Sequence, residues 1–296
     1  MDPTIAPVSA VIPTLGGDSL IETISHLNRG TRVPAEILIC IPEGFALPED
    51  LPLSNVRVVR TKIRGQVNQR IVGFQQTTQQ LVLQLDDDIW LDEQCLERLV
   101  ECIQSMPGDS VSPSLLERSS GVLSHWMSRP RADDGFLRRA LFRLINGARG
   151  YEAGRISRAG VGMGFSDSEA EPYEVEWLPG GCAIHHRHNA VTEPFYPFAG
   201  KAYAEDLFHS HALRRKHARL FHCPLATCRF DSTSSKSSGL GSFLKIHYFR
   251  TRALMSFSRL TGRSRWRLAA FLLLWPFVLV LERQRLQRRG KMPMAV

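Results

Sequence analysis

Residues 81–88 read LVLQLDDD, a nearly unbroken apolar run that ends at once in three aspartates. Apolar on both sides, LVLQL predicts a strand covered on both faces, as in parallel α/β sheets, rather than a strand with one wet face. The aspartates repel one another, and that repulsion makes charging them costly unless a cation is present. In open α/β sheets, ligands sit beyond the carboxyl ends of the strands. The same eight residues therefore specify a fold class and a place for chemistry.

Strand alternation puts Asp86 and Asp88 on one side and Asp87 on the other. Mg²⁺ or Mn²⁺ takes one or two protein carboxylates together with phosphate oxygens. An Asp86/Asp88 pair thus suits a nucleotide diphosphate. The competing reading is an acidic approach to a helix starting at Asp92, where the helix dipole favours negative charge.

The flanking sequence supports the sheet. Short apolar runs at VSAVI (8–12), EILICI (36–41) and VRVV (56–59) alternate with helical patterns over 18–29 and 66–78, the rhythm of βαβ units. A helix over 92–105 carries Leu96, Leu99, Val100 and Ile103 on one face. Residues 117–173 are less regular, with an Arg-rich piece at 138–143 and a Gly-rich piece at 160–164, and predict loops plus a short helix near the site. EVEWL (174–178) resumes a strand, a PGG turn follows, 204–217 is helical and RLFHC (219–223) is a further strand.

Composition matters chiefly through its asymmetry. With 296 residues and 43% hydrophobic content the chain can bury a core, which excludes disorder as its main state. Net charge is +8, yet residues 1–206 hold 19 basic and 27 acidic side chains while 207–296 hold 18 and 2. So basic an end needs an acidic partner: nucleic acid, a diphosphate or anionic lipid. The run LAAFLLLWPFVLVL (268–281) favours the membrane surface over nucleic acid. As helix, it extends about 21 Å against a hydrocarbon core of about 30 Å, too short to span. Pro276 is expected to interrupt it. Arginines 259, 263, 265 and 267 precede the run and 283, 285, 288 and 289 follow it, so both ends belong to one leaflet. An interfacial or shallow re-entrant helix on anionic lipid is expected, peripheral or monotopic on the cytoplasmic side of the cell membrane, against the alternative of a helix packed on the catalytic domain. No basic n-region precedes the first apolar stretch, which predicts a cytoplasmic chain with its six cysteines reduced.

A second acidic pair, Glu205-Asp206, opens the helix over 204–217. In order, VSAVIPT, GQVNQRIVGFQQTTQQLVLQLDDDIWL, WLPGGCAIHHR and YAEDLFHSHALRRKHARLFHCP resemble successive segments of the family 2 inverting glycosyltransferases, bacterial surface-polysaccharide type. The resemblance covers residues 8–252 and implies a GT-A fold, a Rossmann-like mixed α/β sheet flanked by helices. The expected domain is 1–252, followed by a membrane-associating segment over 253–296. It further implies that Pro13, Thr14 and Arg70 frame the nucleotide pocket, that Asp86 and Asp87 contact the donor, and that Asp88 with Asp86 holds Mn²⁺ or Mg²⁺. Gly180 and Gly181 would admit the acceptor, and Asp206 would be the general base beside Glu205. In HYFRTR (247–252), Arg250 and Arg252 would approach the diphosphate. Two departures stand out. ICIPEG leaves only Glu43 where the family has an acidic pair for base and ribose, and ATCRFDST leaves Asp231 or His247 in place of a late metal-contacting histidine.

The implied activity is inverting transfer of a hexosyl or deoxyhexosyl group from a nucleotide-diphosphate sugar to a glycan or lipid-linked acceptor, in cell-surface glycan assembly at the bacterial inner membrane. Two other classes compete. A nucleotidyltransferase would carry a basic residue in a Gly-rich loop after the first strand, and IPTLGGDS has none. A non-catalytic membrane adaptor would use the aspartates only as a helix cap. His185, His186 and His188 predict polar surface or acceptor contacts rather than a metal site, and Arg214, Arg215 and Lys216 either a solvated helix face or a diphosphate contact.

Overall fold

A computed structural model describes residues 3–51, 54–106, 109–119, 121, 123, 136–166, 169–231 and 240–288. The chain divides into two compact units, 1–124 with 166–238, and 125–165 with 239–296. The second unit thus takes in both the segment 239–252 and the inserted stretch 125–165.

The first unit holds a nine-stranded mixed sheet. Strands β1 (Thr4–Pro13), β2 (Arg32–Pro42), β3 (Val56–Thr61) and β4 (Leu81–Leu85) are parallel, in the spatial order β3-β2-β1-β4. Beyond β4 the sheet continues through β8 (Cys182–His186), β6 (Ser110–Glu117), β9 (Leu220–Phe230) and β5 (Ile89–Leu91). Strand β8 runs antiparallel to both β4 and β6, and β6 runs parallel to β9. The short β7 (Tyr173–Val175) pairs with β9. It covers only the start of EVEWL, because the chain turns away at Leu178, whose N–H is held by Ser210 Oγ at 2.9 Å.

Every residue of LVLQL is buried, which is the two-faced cover its sequence requires. One face packs helices α1 (Ser19–Arg29) and α3 (Cys95–Gln104) through Leu20, Ile24, Leu27, Leu96, Leu99 and Ile103. The other receives α2 (Gln66–Gln75), whose Phe74 joins Val11, Leu38, Cys40 and Val82. Gly73 permits this approach: a Cβ there would lie 2.4 Å from Val11 Cγ1 and 2.6 Å from Cys40 Sγ. Helix α5 (Glu205–Arg215) completes the unit. All six cysteines are free and buried.

The second unit contains α4 (Phe136–Asn146), α6 (Leu240–Leu260) and α7 (Arg265–Arg288). Arg263 ties the α6–α7 turn to the inserted loop through the carbonyls of Ile156 at 3.0 Å and Ser157 at 3.3 Å. Contrary to expectation, α7 continues through Pro276. A proline removes one helical hydrogen bond, and burial of Phe271, Trp275 and Val278 on either side holds the helix together regardless. Among the described residues no helix is long and apolar enough to cross a membrane. Arg289 and the side chains of Arg283, Arg285 and Arg288 lie outside the described residues.

Candidate active site

The carboxyl end of β4 and the start of α5 meet at one side chain, Arg70, and the neighbouring Gln69 reaches the end of β1. Helix α2 presents Gln66, Gln69 and Arg70 on its sheet-facing side, drawn down by the close contact at Gly73. Arg70 is fully buried. It donates from Nη2 to Asp86 Oδ1 at 2.8 Å and from Nη1 to Glu205 Oε1 at 2.7 Å. Burial works against the guanidinium charge, and the two carboxylates more than offset it, so its pKa stays above the usual arginine value.

Burial pushes the Glu205 carboxyl above its ordinary range, Arg70 opposes the shift, and Asp86 adds to it. Glu205 Oε2 has no hydrogen-bond partner. Glu205 is thus the buried, ion-paired member of the two acidic residues expected at the catalytic position. Asp206 beside it is only half-buried, with Oδ1 accepting from the Leu207 N–H at 3.0 Å. The pair is presented by a non-glycine residue in left-handed conformation, Ala204 at φ 53°, a geometry that costs an L-residue free energy and concentrates at functional sites.

The aspartates are held separately. Asp86 Oδ1 also accepts from Gln66 Nε2 at 2.7 Å, and its backbone N–H bonds Gly181 O at 2.9 Å. Asp87 turns toward β1, where Thr14 Oγ1 donates to its carboxylate, while Thr23 Oγ1 donates to its carbonyl at 2.9 Å. Gln69 Nε2 fixes the end of β1 by donating to Thr14 O and Cys40 O, both at 2.7 Å. Asp88 opens to solvent at one edge, yet its carboxyl is raised to about 6: partial loss of water around it comes first, then repulsion by Asp86 and Asp87, with Lys201 opposing. Burial likewise raises Asp87, and Asp86 adds to that. Among the described residues no group of three or more His, Cys, Asp or Glu side chains could hold a metal ion alone. The donor set still fits a hard divalent cation, because Asp88 offers oxygen ligands whose charging is costly until a positive charge arrives, and the Asp86 carboxylate stands two residues away.

The remaining expected residues fall in several places. Pro13 ends β1 beside Thr14, and Glu43 lies exposed just after β2. Gly180 has a structural reason of its own to lack a side chain: a Cβ there would sit 2.5 Å from Glu205 Oε1, and its carbonyl accepts from Arg70 at 3.3 Å. A Cβ at Gly181 would meet Ile89 at 3.4 Å. Arg250, Arg252 and His247 are on α6 in the second unit. Asp231 follows β9. Arg214, Arg215 and Lys216 are exposed at the end of α5.

His185 contradicts its expectation. It is fully buried against Phe74 and His209, and burial lowers its pKa to about 3. Gln66 and Gln69 were missed. Their only sequence signal is their position three or four residues from Arg70 and Gly73, on the face that meets the sheet.

A protein-family model described as "Glycosyl transferase family 2" matches residues 49–165. That match runs through α2 and the three aspartates. The structure is similar to a crystal structure of GalNAc-T7 with UDP, GalNAc and Mn2+, with TM-score 0.56 and 16% identity, covering 89% of this chain and 54% of that one. It is also similar to S. aureus TarS 1-349, with TM-score 0.50 and 14% identity, covering 90% of this chain and 70% of that one. The chain thus spans about half the length of the GalNAc-T7 chain. No curated protein sequence matches it significantly. At these identities the likeness establishes the fold, which is GT-A.

Proposed function

We propose that the protein transfers a sugar from a nucleotide-diphosphate donor to an acceptor hydroxyl with inversion, using Mn²⁺ or Mg²⁺, in glycan assembly at a membrane surface. The observation that carries this reading is the buried Arg70 bridge. It joins Asp86, at the carboxyl end of β4 where a donor would bind, to Glu205, the neighbour of the half-buried Asp206. One cation spanning the two acidic motifs supports a reading in which donor and base chemistry share a single sheet edge.

Asp88 and Asp86 would hold the divalent ion, which when bound supplies positive charge against the departing diphosphate. Thr14 and Gln69 fix the end of β1, and with it the Asp87 carboxylate, so that the donor meets a preformed wall. Asp206 accepts the proton of the acceptor hydroxyl as that oxygen forms its bond to the anomeric carbon and the carbon–diphosphate bond breaks. General-base assistance of this kind contributes roughly 10²–10⁴ in rate. A base facing the acceptor side, opposite the leaving group, gives inversion in one displacement. That a solved GT-A neighbour carries UDP and Mn2+ supports the donor and metal assignments.

The test is Asp206→Asn. With a panel of nucleotide sugars and Mn²⁺, the variant is expected to keep donor binding near normal and to lose transfer by about 10²-fold or more. Normal turnover by the variant would remove Asp206 from the mechanism. Failure of every nucleotide sugar to bind, with or without metal, would remove the transferase reading.

A further inference from the structure

Helix α7 is apolar on two sides. Leu268, Phe271, Trp275 and Val278, spaced three and four apart, are buried within the second unit, where α7 packs on α4 and α6. By helical spacing Trp266, Leu273, Phe277 and Leu281 form another stripe, with Leu274 beside it, and all five are exposed; Leu273 and Phe277 are 71% and 69% accessible. The stripe extends about 22 Å along the helix at 1.5 Å per residue. A helix apolar on all sides is ordinarily covered on all sides, and a contiguous exposed apolar stripe marks an interaction surface.

The charge of the same unit selects what covers it. Residues 125–165 and 239–296 together contain 20 basic and 4 acidic side chains, whereas the sheet unit contains 17 and 25. Arg139, Arg143, Arg259 and Arg265 are exposed on this unit. At the start of the stripe Trp266 is exposed with the Arg267 guanidinium 4.5 Å above its ring, an aromatic body with a cationic cap of the sort that suits the headgroup layer. Nucleic acid would answer the charge and leave the apolar stripe in water. A second copy of the chain would answer the stripe and oppose charge of like sign.

We propose that this face of α7 docks in the plane of an anionic lipid bilayer, with the stripe in the acyl boundary and the arginines among the headgroups. The docking rests on the second unit alone and stands independently of the transfer chemistry.

Co-flotation of the full chain with lipid vesicles tests it. Binding to mixed phosphatidylcholine–phosphatidylglycerol vesicles is expected to exceed binding to pure phosphatidylcholine by about tenfold or more and to weaken with salt. Leu273→Glu/Phe277→Glu changes two solvent-facing residues. It is expected to keep the wild-type melting transition and to lose about tenfold or more of that binding. Arg259→Glu/Arg265→Glu is expected to abolish the preference for anionic vesicles, and the blue shift of tryptophan emission on binding is expected to shrink in Trp266→Phe. Four results would overturn the proposal: undiminished binding by the Leu273/Phe277 variant, no wild-type binding to anionic vesicles, equal binding to neutral ones, or a dimer in lipid-free solution that the same variant disperses. Retention on single-stranded nucleic acid without vesicle binding would likewise replace the membrane with a different partner.

Discussion

Replacing Arg70 with methionine isolates the interaction on which the site depends. Arg70 is fully buried, Glu205 is 6% exposed, and their contact is 2.7 Å, so neither charge can recover its hydration when the other is removed. Breaking a buried ion pair by deleting one partner costs about 3–5 kcal/mol, because an uncompensated charge is left inside. The loss should depend on pH in a defined direction. Burial already raises Glu205, and without Arg70 nothing opposes the rise. A carboxyl whose folded pKa lies above its unfolded value binds more protons when folded, so its stability is present at low pH and lost as pH rises through the folded value. Arg70→Met should therefore be closest to wild type in mild acid and weakest above neutrality. Adding Glu205→Gln removes the orphaned charge and should restore a large part of the loss, giving a coupling of about 1–3 kcal/mol in a double-mutant cycle. Urea unfolding of the four proteins at two pH values measures all of this. An Arg70→Met penalty below about 1 kcal/mol, or strict additivity with Glu205→Gln, would refute the claim that Arg70 joins the two acidic motifs.

Three other perturbations have defined outcomes. His185, held near 3 by burial, stays neutral in the fold while the unfolded chain protonates below about 6.5, so stability should fall as pH drops from 6.5 toward 3, by about 2 kcal/mol at pH 5 from this residue alone; His185→Leu should flatten that slope in urea melts. Gly180→Ala brings a methyl within 2.5 Å of Glu205 Oε1, which should cost about 1–3 kcal/mol in thermal unfolding and reduce sugar transfer more than donor binding. Glu36 accepts from Ser9 at 2.6 Å and from the Thr78 N–H and hydroxyl at 2.8 and 2.7 Å, and these bonds with Arg57 outweigh burial to hold its carboxyl below the ordinary value. Its contribution is present above the unfolded pKa and lost as pH falls through the folded one, so Glu36→Gln should destabilise the protein near neutrality and make the difference vanish in acid.

The parts of the fold that could be read from the sequence were those decided by local pattern. LVLQL and EILICI are apolar enough that only a covered strand accommodates them, and the 3.6-residue spacing of Leu96, Leu99 and Ile103 fixes a helix face. What stayed hidden depended on partners distant in sequence. Nothing near Gly180 announces that its missing side chain makes room for Glu205, and nothing near His185 announces that Phe74 and His209 enclose it rather than water. Arg70 was assigned to the nucleotide pocket from resemblance. Its burial between two carboxylates, 16 and 135 residues away in the chain, is a property of the folded sheet edge. Proline at 276 misled for a related reason, since local propensity predicts a break that buried neighbours on both sides override.

Charge arithmetic within the sheet unit explains why the proposed chemistry calls for a divalent ion. A unit with 25 acidic and 17 basic side chains repels a nucleotide diphosphate at long range, and the proposed donor edge carries Asp86, Asp87 and Asp88 in succession. At 4 Å and an effective dielectric near 20, each like-charge pair costs about 4 kcal/mol, more than a few hydrogen bonds from Thr14 or the backbone would return. Arg70 cannot supply the missing positive charge, because both of its arms are already bonded to carboxylates and it has no exposed surface to offer. Lys201 is the basic group that touches the balance at Asp88, and its opposition leaves that carboxyl raised to about 6 all the same. For the proposed reaction the acidic edge and the anionic donor would therefore need a divalent cation, which Asp86 and Asp88 would hold and which would supply the missing positive charge. On this reasoning metal and donor bind with mutual reinforcement, each lowering the electrostatic cost of the other.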